Sequence, residues 1–120
     1  MRPTLLIVED TELDRDLLVQ IFEGSYEIRL ALDGQAACEL VAKEPPDLIL
    51  MDIGLPGLSG LDAVRRIRAT GSTVPIIAVS SRVMPGDREQ ALAAGCDDFM
   101  AKPIDDLELV AMVSGLLARR

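Results

Sequence analysis

Four stretches of this sequence end in side chains able to manage the charge of a phosphate. Glu9 and Asp10 follow the apolar run Leu5–Val8, and Asp52 closes the run DLILMD. Ser80 and Ser81 follow VPIIAV, and Lys102 follows Cys96–Ala101 and precedes Pro103. Carboxylates brought within several ångströms of one another repel and raise one another's pKa values. Each tenfold change in proton affinity is worth about 1.4 kcal/mol. A divalent cation removes the conflict. Hard oxygen ligands with no His or Cys beside them favour Mg²⁺ over zinc. Mg²⁺ on one or two carboxylates keeps positions open for phosphate oxygens, Lys102 adds a second positive charge, and the Ser80 hydroxyl can donate to an oxyanion. This is a cradle for phosphoryl transfer with an aspartate available as nucleophile. Any one of these acids is better explained as a turn former at the end of a strand; the complete set is not.

The elements that must carry these residues alternate. Leu5–Val8 reads as a buried strand. From Thr11, an N-cap candidate, Leu13, Leu17, Leu18, Ile21 and Phe22 mark one face of a helix that ends at Gly24. Tyr26–Ala31 is a second strand, Asp33-Gly34 a turn or cap, and Ala36, Ala37, Leu40 and Val41 a second helix stopped by Pro45-Pro46. Asp47–Asp52 is a third strand. Leu58, Leu61, Val64 and Ile67 form a third helical stripe ending before Gly71, and Val74–Val79 is a fourth strand. Asp87–Ala94 is a helix ended by Gly95, with Met84–Asp87 as its loop and N-cap, and Cys96–Ala101 holds a short fifth strand. Leu107, Val110, Val113 and Leu117 mark the core stripe of a last helix. Leu109, Met112 and Leu116 then lie on a second face, either flanking the core or meeting a partner.

Five βα units with wholly apolar strands predict a parallel sheet covered on both faces by right-handed crossovers. Ligands of such sheets bind beyond the carboxyl ends of the strands. That is where Glu9, Asp10, Asp52, Ser80, Ser81 and Lys102 fall.

Composition excludes several other chemistries. A length of 120 residues predicts one domain, 1–120. Hydrophobic residues make up 49% and aromatics 2%, so the core is aliphatic and there is no stacking platform for single-stranded nucleic acid. The net charge of −8 disfavours contact with DNA phosphates and anionic membranes. With no histidine, there is no His base, His metal ligand, Ser-His-Asp triad or phosphohistidine on this chain. Cys38 and Cys96, with no CxxC, read as reduced packed thiols of a cytoplasmic protein rather than a disulfide framework or a redox sensor. The first apolar run is too short for a signal peptide, and none approaches a membrane span.

Taken together, LLIVED at Leu5–Asp10, LILMD ending at Asp52, IGLPGLSG at Ile53–Gly60, PIIAVS ending at Ser80 and AKP at Ala101–Pro103 resemble the receiver domains of two-component response regulators, CheY-like in type. The resemblance covers essentially the whole chain. It implies a flavodoxin-like (βα)5 three-layer sandwich with a parallel sheet of order 2-1-3-4-5. It also implies a signalling switch in a phosphorelay rather than an enzyme. Asp52 would be the phosphoacceptor, taking a phosphoryl group from a partner phosphohistidine on a sensor histidine kinase or phosphotransfer protein. Asp10 would bind Mg²⁺ directly, with Glu9 mostly through water, Asp52 sharing the ion and the Gly54 backbone carbonyl as a further ligand. Ser80 would be the switch hydroxyl, Lys102 the partner of a phosphoryl oxygen and Phe99 the aromatic that follows Ser80. The Lys102–Pro103 bond would be cis, and Pro56 and Gly60 match the loop after the phosphorylation site.

Several positions depart from the family's commonest pattern. Glu9 replaces Asp, Ser80 replaces Thr and Phe99 replaces Tyr, while Ser81 stands where Ala is usual. Gly54 offers no side chain over the phosphoryl site, and Arg82 stands two residues after the switch hydroxyl, so an unusual phosphoryl lifetime is expected. Output would pass through the surface of the fourth helix, fifth strand and last helix to a downstream protein, or through a phosphorylation-linked dimer, as a population shift. Met1 and the closing Ala118-Arg119-Arg120 modestly favour a stand-alone regulator over a domain of a longer regulator or hybrid kinase. Two rival readings remain. A Mg²⁺-dependent phosphatase with an aspartate nucleophile usually has a second acid two residues on, where this chain has Gly54. A phosphorylation-independent binding module would not need the intact set.

Overall fold

A computed structural model describes residues 2–54, 59–81 and 84–119. The sequence readings at Pro56, Leu58 and Arg82 lie outside the described residues. Strands β1 (Thr4–Val8), β2 (Glu27–Ala31), β3 (Leu48–Asp52), β4 (Ile76–Ser80) and β5 (Asp98–Ala101) alternate with helices α1 (Glu12–Phe22), α2 (Gly34–Lys43), α3 (Gly60–Ala69), α4 (Asp87–Ala94) and α5 (Asp106–Ala118). The strands form one parallel sheet of order β2-β1-β3-β4-β5. This is the flavodoxin-like order expected from the sequence.

Every residue of β3 and β4 is buried because helices cover both faces of the sheet. On one face Leu6, Val8, Ile49, Met51, Ile76 and Ala78 pack against α2, α3 and α4. On the other, Leu5, Ile7, Leu48, Leu50, Ile77 and Met100 pack against α1 and α5. Each large side chain so buried contributes about 1.5–3 kcal/mol relative to exposure.

Thr11 takes the N-cap place of α1 and Gly86 that of α4 without a side-chain cap bond, whereas α2, α3 and α5 start at short polar caps. Asp33 accepts a hydrogen bond from the Ala36 N–H at 2.8 Å, Ser59 from Asp62 at 3.1 Å and Asp105 from Glu108 at 3.0 Å. Each satisfies an amide that the first helical turn leaves without a partner, worth about 1 kcal/mol. At the other end of the sheet, the Arg68 guanidinium donates to the carbonyls of Gly95 (2.9 Å) and Ser72 (3.1 Å) and to the Asp97 carboxylate (3.1 Å). Asp97 also accepts from the Ile76 N–H at 2.8 Å, which ties the starts of β4 and β5 to the end of α3. Gly95 has φ +121° and passes so close to the Arg68 stem that a Cβ would lie 2.7 Å from its Cγ.

Two helices turn a different face to the sheet than their periodicity suggested. In α5 the buried residues are Leu109, Val113 and Leu116, with Met112 and Leu117 partly buried beside them. Leu107 is 84% exposed and Val110 is exposed as well. Leu107 stands roughly 160° around the helix from Leu109 at 100° per residue. Because α5 is apolar on nearly every side, its pattern sets no phase, and packing on the sheet selects the face. In α1 only Leu18 and Phe22 are fully buried, whereas Leu13 is 79% exposed. Leu13 lies roughly 140° from Leu18, outside the arc that the sheet covers.

Register carries the strand ends to one rim. Val8 pairs with Met51 and with Ala31, Asp52 with Val79, and Ser80 with Ala101. The residues that follow Val8 and Ala101 therefore emerge beside Asp52 and Ser80.

Candidate phosphoacceptor site

Glu9 leaves β1 with its backbone N–H on the Ala31 carbonyl at 3.1 Å and its side chain turned inward, only 1% exposed. Its Oε2 accepts from the Thr11 N–H at 3.2 Å and its Oε1 from the Lys102 ammonium at 2.8 Å. Asp10, the next residue, is exposed. Asp52 ends β3 with 7% exposure, held by its place in a strand buried on both faces. Its Oδ1 accepts from the Gly54 N–H at 2.8 Å, and its Oδ2 lies 3.6 Å from the Lys102 ammonium. One carboxylate oxygen each from Glu9, Asp10 and Asp52 lie within 4.8 Å of one another.

Lys102 reaches this cluster because its backbone N–H donates to the Ser80 carbonyl at 2.7 Å, extending the β4–β5 pairing by one residue. The Lys102–Pro103 bond is cis. Ser80 is buried at the end of β4 and Ser81 is exposed beyond it. Both line a cleft of about 270 Å³ with Ile53, Gly54, Leu61, Asp87 and Gln90, between the end of β3 and the start of α4. A larger cavity of about 580 Å³ lies between the C-terminal ends of α2 and α3, away from the acids.

Gly60 accounts for how closely α3 approaches the phosphoacceptor candidate. A Cβ on Gly60 would run into the Asp52 carbonyl oxygen and come within 2.6 Å of the Ile53 Cα. Both are backbone atoms that cannot rotate aside.

The electrostatics follow from burial and crowding. Burial, hydrogen bonding with Asp52 and the Asp52 charge push the Glu9 carboxyl up to about 7, against the pull of Lys102 and the Thr11 amide. Burial alone would lower Lys102. Its hydrogen bonds to Asp14 and Glu9 and the nearby charges of Asp52 and Glu9 reverse that and hold the ammonium above the ordinary lysine range.

The donor set fits a small oxygen-seeking dication. It is made of hard carboxylate oxygens with no nitrogen or sulfur ligand, and burial together with the neighbouring Asp52 raises the Glu9 carboxyl, as crowded acids would.

The structure brings together Glu9, Asp10, Asp52 and Lys102, and places Ser80 at the neighbouring strand end with its carbonyl on the Lys102 N–H. Gly54 is adjacent through its N–H, which donates to Asp52 Oδ1. Phe99 sits in β5 opposite Ala78, partly buried against the core under α2, α3 and α4. Sequence reasoning missed Asp14, whose Oδ2 accepts from the Lys102 ammonium at 2.8 Å. An acid in the first turn of a helix already has a reason to be there, the helix dipole, and that reason hid its second partner. Cys96 is buried among apolar neighbours, which push its thiol up to about 12. Both cysteines are free thiols.

A parallel sheet of this order with acids over its central strands and a lysine after its last defines a receiver-type α/β fold. The chain belongs to the response regulator receiver domain family, whose model matches residues 5–114. It is 35% identical over 116 residues to the response regulator MprA of Mycolicibacterium vanbaalenii, covering 96% of this chain and 50% of that protein. It is 35% identical over 119 residues to the response regulator PleD of Caulobacter vibrioides, covering 97% of this chain and 26% of PleD. The chain thus spans about half the length of MprA and a quarter of PleD. Among solved structures it resembles the receiver domain of the sensor histidine kinase PA1611 from Pseudomonas aeruginosa. The TM-score is 0.90 at 35% identity, covering 98% of this chain and 99% of that one. That structure holds a magnesium ion coordinated in its active-site cleft. Among the described residues, no helix is long and apolar enough to cross a membrane.

Proposed function

We propose that the chain, as one domain over residues 1–120, is a phosphoacceptor switch in a two-component phosphorelay. The observation that carries this reading is the Asp52 carboxylate, grouped with Glu9 and Asp10 within 4.8 Å and 3.6 Å from the Lys102 ammonium. A partner kinase or phosphotransfer protein presents a phosphohistidine. An Asp52 oxygen attacks phosphorus, the P–N bond breaks, and the electron pair stays on the imidazole nitrogen, which takes up a proton. The product is an acyl phosphate on Asp52 and a neutral histidine.

Each residue has a role in that step. Lys102, kept charged by its carboxylate neighbours, is the cation for a phosphoryl oxygen. The Gly54 N–H at 2.8 Å fixes the rotamer of Asp52 and leaves its other oxygen toward Lys102. Ser80 lines the adjacent cleft, where its hydroxyl can donate to the phosphoryl group. Asp10, Glu9, Asp52 and the Gly54 carbonyl would hold Mg²⁺, which when bound supplies charge neutralisation and alignment of the phosphoryl oxygens.

The output follows the same geometry. Ser80 moves toward the phosphoryl group, Phe99 follows it in β5, and the α4–β5–α5 surface changes its population of states. Leu92, Leu107 and Val110 expose apolar area on α4 and α5 for a downstream protein or a second, phosphorylated copy. The free thiols agree with a cytoplasmic location. The phosphatase reading is disfavoured by exposed Gly54, which brings no acid two residues after Asp52.

Incubation with a small phosphodonor and Mg²⁺ tests the reading by intact mass. One phosphoryl group per chain is expected on the wild type and none on Asp52→Asn. Equal labelling of the two would overturn it.

A further inference from the structure

Lys102 is shared unequally among three carboxylates. Its ammonium lies 2.8 Å from Glu9 Oε1, 2.8 Å from Asp14 Oδ2 and 3.6 Å from Asp52 Oδ2. Two of its three N–H donors are therefore engaged by groups other than the phosphoacceptor. Glu9 is buried and fixed by Thr11, whereas the Asp14 side chain is 35% exposed and sits in the first turn of α1. Asp14 can be hydrated if it loses the lysine, and Glu9 cannot. Of the two contacts, the one to Asp14 is the cheaper to give up.

We propose that Asp14 is a positioning residue that tethers the Lys102 ammonium off Asp52 in the resting protein and competes with the phosphoryl group for it. This rests on the reading of Asp52 as phosphoacceptor. A phosphoryl group on Asp52 replaces one negative charge by about two and draws Lys102 away from Asp14. The tether therefore weakens phosphoryl binding by the worth of one partly exposed ion pair. Its release frees the first turn of α1, so the α1 surface responds to the phosphorylation state. By linkage, whatever stabilises the Asp14–Lys102 pair weakens the phosphorylated state by the same factor.

The test uses beryllium fluoride with Mg²⁺ as a phosphoryl mimic, titrated against the full chain. Asp14→Asn keeps the size of the side chain and removes its charge. It should bind the mimic about two- to fivefold more tightly than wild type. Asp16→Asn removes a charge from the same helix at an exposed position with no lysine contact and should bind as wild type does. Hydrogen exchange supplies a second readout. The amides of the first turn of α1 should exchange faster on mimic binding in wild type and show no such change in Asp14→Asn. Unchanged or weaker binding by Asp14→Asn overturns the tether. So does an equal gain by Asp16→Asn, which would reduce the effect to the general field of the acids. Failure of the wild type to bind the mimic at all would instead remove the phosphoacceptor reading.

Discussion

Glu9 and Lys102 come from the first and last strand ends of the chain, yet the ammonium donates to the carboxylate at 2.8 Å in a buried contact. Glu9 is 1% exposed, and the Lys102 side chain is 12% exposed. The pair bridges β1 and β5, which are not neighbours in the sheet.

Removing one partner of such a pair leaves the other without its counter-charge in the interior. Lys102→Ala should lower the unfolding free energy by about 2 kcal/mol. This is less than the 3–5 kcal/mol typical of an uncompensated buried charge, because Glu9 can take up a proton. The shift in urea midpoint at constant slope measures it.

Glu9 also sets a pH dependence. Its carboxyl is raised in the fold from 4.5 to about 7. Between those values the folded chain binds a proton that the unfolded chain does not, so stability falls as pH rises. The contribution is fully present below about 4.5 and lost above about 7. The chain has no histidine to titrate in that interval. Chelator-treated wild type should lose on the order of 2–3 kcal/mol between about pH 5 and about pH 8. Glu9→Gln should flatten the profile, and an unchanged slope in that variant would assign the effect elsewhere.

If the acids hold Mg²⁺, the ion stabilises the folded chain by mass action, by ~2.7 kcal/mol at about a hundredfold excess over Kd. Asp10→Asn relieves repulsion among the carboxylates. It should melt slightly higher than wild type without metal, by about 0.5–1 kcal/mol, and respond little to Mg²⁺. Identical melting of the two proteins under both conditions would mean that the cluster is no metal site.

The close approach of α3 gives a steric prediction. In Gly60→Ala the new Cβ meets the Asp52 carbonyl and the Ile53 Cα, so α3 must shift away from the end of β3. Overpacking of this kind costs about 1–3 kcal/mol. Because Asp52 lies at the contact, phosphoryl uptake should slow along with the drop in urea midpoint. A variant that loses stability but labels at the wild-type rate would separate the two effects.

Much of this was legible in one dimension. Wholly apolar strands alternating with helical stretches point to a parallel sheet covered on both sides, which hides LLIV, LILM and IIAV at once. A parallel sheet puts all carboxyl ends on one edge, so Glu9, Asp10, Asp52, Ser80 and Lys102 could be assigned to a common rim before any coordinate. The Asp33 cap is local and equally readable, whereas the Asp105 cap was seen only in the folded chain. Three further things needed the folded chain. The rotation of α1 and α5 did, since Leu13 and Leu107 are as apolar as Leu18 and Leu109 and only contact with the sheet separates them. The Asp14–Lys102 contact did, because it joins residues 88 apart in sequence that share no pattern. So did the proton affinity of Glu9, which depends on burial and on the distance to Asp52. Periodicity reports which residues prefer to leave water. Which neighbours they then meet is a property of three-dimensional packing.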